Sequence, residues 1–133
     1  MRAFRSSLAL AAVLAAACNA QADAQTSPAA PTHSSCFFVN QFYNWKAPDS
    51  RTIIIRVNMS RYFRLDLAGT CPGVTYPDSH LIMNVHGPDT ICSAVDWDLK
   101  VNQMNGIPTP CIVKTMTEMT PAEIAAIPKK FRP

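Results

Sequence analysis

The sequence predicts a small, mainly β domain at the margin of α+β: an antiparallel sheet stapled by disulfides, with one short C-terminal helix. Three observations lead there. Short runs of Ile, Val, Phe, Tyr and Leu recur between turn clusters of Gly, Pro, Asn and Asp. Cys36, Cys71, Cys92 and Cys111 are spread across the folded region, an even number suited to two bridges. A strong helix-start signal falls near the C-terminus, at Thr120-Pro121-Ala122-Glu123.

The chain of 133 residues opens with Arg2 and Arg5 and continues with an uncharged, apolar run over residues 8–17. A basic head before a brief apolar segment is the layout of a secretory signal, because the arginines stay on the cytoplasmic side. A bilayer span needs about 20 apolar residues, so this run is an address and not an anchor. Two processing routes are open. Ala22-Asp23-Ala24 suits cleavage after residue 24, giving a signal peptide of 1–24. Leu14-Ala15-Ala16-Ala17-Cys18 resembles a lipobox, which would limit the signal to 1–17 and make Cys18 a lipidation candidate. Ala15 stands where such boxes usually carry Leu. Residues 25–35, rich in Ala, Thr, Ser and Pro, lack the apolar bulk to offset ordering entropy and are expected to form a tether.

A single domain is expected over 36–130, with 131–133 as a tail. Phe42, Tyr43 and Trp45 form an aromatic cluster before a turn at Ala47-Pro48-Asp49-Ser50. They do not alternate cleanly, which marks them as a candidate binding surface beside the alternative that they cover a sheet edge. Residues 51–58 and 62–68 form the clearest strands. If Ile53, Ile55 and Val57 share a face with Phe63, Leu65 and Leu67, paired residue numbers sum to an even value, and a three-residue hairpin loop fits. A loop centred on Ser60 sets Arg56 against Arg64, which is unfavourable; a shift of two sets Ile54 against Arg64 and preserves the core. Further strands are expected at 80–85, 97–104 and 111–117. The helix ends at Pro128 after about two turns, with Ile124 and Ile127 facing the sheet.

Without Arg2, Arg5 and Asp23 of the signal, ten basic residues face eight acidic ones, a net charge of +2. That excludes the strong basic field of a nucleic-acid binder. Lys129-Lys130-Phe131-Arg132 reads as a solvated end. Four cysteines allow three pairings; Cys71 with Cys92 and Cys36 with Cys111 is the favoured one, clamping one strand's flanking loops and tying the start of the domain to its last strand. No Cys-x-x-Cys or Cys/His pair at ligand spacing points to metal or redox chemistry, so no metal and no cofactor is expected.

No catalytic residue is assigned. His80 and His86 bound one strand, roughly 20 Å apart if it is straight, too far for joint chemistry. Asp96 and Asp98 suit a paired-acid site only if they project into a cleft; a solvated face explains them equally. The expected function is that of an exported protein of the Gram-negative envelope, periplasmic or lipid-anchored through Cys18, structural or binding an envelope protein or small ligand. A secreted inhibitor, using residues 104–110 as its loop, or a small hydrolase is the alternative.

Taken together, Cys36-Phe37, Ile53 to Val57, Tyr62 to Gly69 with Cys71, Ile91-Cys92, Asp96-Trp97, Cys111-Ile112-Val113 and the segment from Met119 to Pro128 are similar to a family of small, uncharacterised, exported proteobacterial proteins with four cysteines, a domain of unknown function. The resemblance covers nearly all of 36–132. It implies export, often with a lipobox, and structural cysteines; it implies no activity.

Overall fold

The computed structural model describes residues 35–103 and 106–133. The signal, Cys18 and residues 25–34 of the expected tether lie outside the described residues, as do Met104 and Asn105. The described chain is mainly β. Its strands are β1 (Phe37–Phe38), β2 (Phe42–Asp49), β3 (Thr52–Val57), β4 (Arg61–Leu67), β5 (Ser79–Val85), β6 (Thr90–Ile91), β7 (Trp97–Gln103), β8 (Thr109–Cys111) and β9 (Val113–Glu118), followed by the helix α1 (Pro121–Ala126). They form three antiparallel sheets: a β1-β6 ribbon, a four-stranded sheet ordered β2-β3-β4-β9, and a three-stranded sheet ordered β5-β7-β8.

Alternation decides which side chains go inside. Ile53, Ile55, Val57, Phe63, Leu65 and Leu67 share one face of the four-stranded sheet. They meet Trp97, Leu99 and Val101 of β7 and Phe37 and Ile91 of the ribbon in one core. Phe37 is the keystone, with its ring 5.1 Å from that of Phe63 and edge-on to Trp97 at 6.1 Å.

The β3-β4 hairpin takes the register that avoids the arginine clash. Ile54 pairs with Arg64 and Arg56 with Tyr62, so the three-residue loop is Asn58-Met59-Ser60. Asn58 adopts a φ of 57°, a left-handed turn conformation that Asn tolerates better than most residues. Arg56 then lies 4.8 Å from the ring centre of Tyr43 and 5.9 Å from that of Tyr62, and its Nη2 donates to the Met59 carbonyl.

The structure corrects several expectations. The bridges are Cys36–Cys92 and Cys71–Cys111, not Cys71 with Cys92 and Cys36 with Cys111. Phe37 pairs with Ile91, so the antiparallel ribbon brings Cys36 opposite Cys92, with Cα atoms 4.0 Å apart. Ala68 N–H donates to the Ile112 carbonyl, which draws the end of β8 to the segment after β4 and sets Cys111 beside Cys71. The expected last strand is broken into β8 and β9, which belong to different sheets; the chain crosses between them at an exposed Ile112.

The aromatic cluster at 42–45 lies within an edge strand that is itself part of the sheet. The helix has its reciprocal cap: Thr120 Oγ1 accepts from Glu123 N–H, and Glu123 Oε2 accepts from Thr120 N–H at 2.7 Å. It covers the outer face of the four-stranded sheet, where Ile127 packs with Ile54 and Tyr62 in a second small core supported by Ile124, Met119 and Phe131. The basic end is therefore not a free, solvated tail. Pro128 ends the helix, Phe131 packs on this second core, Arg132 Nη2 donates to the carbonyls of Ala125 and Ile127, and Pro133 is buried.

Candidate functional site

A groove of about 350 Å³ is lined by residues 44–47 of β2, residues 74–77 with Ser79, and Lys130-Phe131. Each wall is held by a different device. Trp45 pairs with Ile55, which directs its ring toward the core, and it is half-buried where it borders the groove. The loop carrying Tyr76 is anchored at its start by the Cys71–Cys111 bridge and in its middle by fully buried Val74. Successive turns stiffen it: Val74 N–H to the Cys71 carbonyl, Tyr76 N–H to that of Gly73, and Ser79 N–H to that of Tyr76. Ser79 Oγ closes the loop by donating to the Gly73 carbonyl. Gly73 has a φ of 79°, and the side chain of Gln103 fills the space a Cβ would need, so this turn requires glycine.

Tyr76 is 59% exposed on this rigid support. The turn at Lys129–Phe131 is fixed by Phe131 N–H donating to the Pro128 carbonyl. Lys130 Nζ sits 4.6 Å from the Phe131 ring centre. The lining thus combines Trp45, Tyr76 and Phe131 with Lys46 and Lys130, the amide of Asn44 and no carboxylate. Its size falls within the range of small-molecule sites.

Of the three expected binding-surface residues, Trp45 alone lines this groove. Phe42 packs against the main core, and Tyr43, 65% exposed, points elsewhere as a platform for Arg56. Sequence reading missed Tyr76, Lys130 and Phe131, which lie in a turn cluster and a basic tail. Their signal, an aromatic beside a proline and an aromatic within a lysine run, is common in loops and carries no spacing.

Of the charged residues weighed for catalysis, His86 lies beside Asp98 and Asp96, and His80 stands apart. His86 Nε2 is 3.2 Å from Asp98 Oδ2, a contact in which both side chains are more than half exposed. His80 lies at the other end of β5. Asp96 Oδ2 accepts from the backbone N–H groups of Cys92 and Ser93, which hold its carboxyl below the usual carboxylate range, and from Ser93 Oγ. Its acceptor is committed to shaping the turn at Ala94–Asp96 beside the Cys36–Cys92 bridge. Among the described residues, no group of three or more His, Cys, Asp or Glu side chains is placed to hold a metal ion. No helix among the described residues is long and apolar enough to cross a membrane. Of the expected inhibitor loop, Gly106 to Pro110 are described, with Ile107 almost fully exposed.

The fold and groove define a small, two-bridge β domain with an aromatic and cationic surface cleft. The chain belongs to the family of unknown function DUF6491, matched over residues 1–132. No curated protein and no solved structure matches it.

Proposed function

We propose that this protein is exported to the bacterial envelope and binds small acidic saccharides in the groove between β2 and the Lys129–Phe131 turn. The observation that carries the reading is the lining itself: three aromatic residues and two lysines, with no carboxylate residue among those that border the groove. Aromatic faces suit the apolar faces of sugar rings, and lysines suit carboxylate or phosphate substituents. An extended peptide fits less well. The open edge of β2 is blunted by two register shifts, by Lys46 and Pro48, and by Asn44 Oδ1, which accepts from Trp45 N–H. Export is supported by the signal-like N-terminus and by two bridges, which persist in oxidising compartments.

The test is a tryptophan-fluorescence titration of the full chain with oligogalacturonate, a neutral maltooligosaccharide and hexaglutamate. The expected result is a saturable change with the acidic saccharide alone, weakened at least about tenfold by Lys46→Ala with Lys130→Ala. Equal binding of the neutral sugar, tighter binding of the peptide, no binding, or indifference to the lysine changes would overturn the reading.

A further inference from the structure

The edges of the sheets are not equally guarded. β2 carries the blunting devices just described, β8 is three residues long and contains Pro110, and β9 carries Lys114 and a register shift against β4. β5 has none of these. Over Ser79–Val85 it pairs with β7 through seven consecutive positions without a shift, and it contains no proline, lysine, arginine or carboxylate. Leu81, Ile82, Met83 and Val85 are all only partly buried.

The direction of its hydrogen bonds follows from its end. His86 N–H donates to the Asp96 carbonyl at 2.7 Å, one step beyond the Val85–Trp97 pair. Bonded and non-bonded positions alternate in an antiparallel ladder, so the even residues of β5 bond to β7, and the N–H and C=O groups of Leu81, Met83 and Val85 face the open edge. Among the described residues these groups make no hydrogen bond outside the ladder.

We infer that β5 joins two copies of this protein, antiparallel about a two-fold axis at Ile82, merging their three-stranded sheets into one of six strands. The strand is complementary to itself in this register. Leu81 opposes Met83 of the second copy on the core side, Ile82 opposes Ile82, and His80 opposes Asn84 on the outer side. Over residues 80–84 apolar thus meets apolar and polar meets polar, with no acidic or permanently cationic side chain in the seam; the flanking pair sets Ser79, whose N–H is already donated to the Tyr76 carbonyl, against Val85. The register also satisfies this alternation, because it places odd residues opposite odd ones and lets their free groups bond to each other. A shift by one residue in either strand would oppose bonding and non-bonding positions, and a shift by two would set Ile82 against Asn84.

The experiment is sedimentation equilibrium of the full chain with two variants. The wild type is expected at twice the chain mass, dissociating on dilution. Met83→Pro removes an N–H that faces the edge and not β7, so it should keep both bridges and a native far-UV spectrum while weakening the dimer by about tenfold or more. Ile82→Lys, a side-chain change that leaves the backbone intact, should weaken it similarly by setting two cations across the axis. A wild type that stays monomeric overturns the proposal, including one whose Leu81 and Met83 amides are protected from exchange at every concentration because another segment of the chain covers the edge. A dimer that survives both variants overturns it as well. Groove binding is read separately by the saccharide titration.

Discussion

Single side chains in this protein are best understood by what they hold in place. Arg61 and Glu118 form a two-pronged pair, Nε to Oε1 at 2.7 Å and Nη2 to Oε2 at 2.8 Å, joining the start of β4 to the end of β9. The hydrogen bond to Glu118 holds the guanidinium above its usual value, and Arg61 also reaches the Cys36 carbonyl and the Phe63 ring. Both partners are mostly buried, so solvent screens them less than an exposed pair. A double-mutant cycle of Arg61→Ala and Glu118→Ala, read by urea unfolding, should return a coupling of about 1–3 kcal/mol; a value near zero would show that solvent competes fully for both groups. Nothing in the sequence marks this pair, because its members are 57 residues apart and meet only when β4 and β9 become neighbours.

Elements were legible where their signals are local. The α1 cap is written in four consecutive residues, and parity in the hairpin left two registers, of which charge repulsion between Arg56 and Arg64 selects the observed one. β2 was not legible because an edge strand with two register shifts has no clean alternation. The two caps also set an acid dependence. Glu123 is held low by Thr120 N–H, and Asp96 by the N–H groups of Cys92 and Ser93. A carboxylate whose folded pKa is depressed contributes stability above its unfolded value, about 4, that is lost as pH falls through the lower folded value. The denaturation midpoint should therefore drop below about pH 4, and Glu123→Gln and Asp96→Asn should each shrink that drop. An unchanged pH profile in both variants would refute the caps as its source.

At the scale of the whole molecule, the bridges and the core act together. The bridges close segments of 56 and 40 residues, and each lost bridge should cost about 2–5 kcal/mol. Non-reducing peptide mapping of the chain should yield Cys36 linked to Cys92 and Cys71 linked to Cys111; any other linkage would mean a different strand order. The intact mass of the same material separates a start at Cys18 with acyl chains from a start at residue 25. By itself the sequence determined the β class, the hairpin, the capped helix and a count of cysteines sufficient for two bridges, because alternation, turn chemistry and capping act over a few residues. The tertiary structure alone decided which cysteines pair, that 109–118 divides between two sheets, and that Trp45, Tyr76 and Phe131 line one groove. Each of those depends on segments far apart in the chain, brought together by burying a shared apolar face that no local pattern encodes.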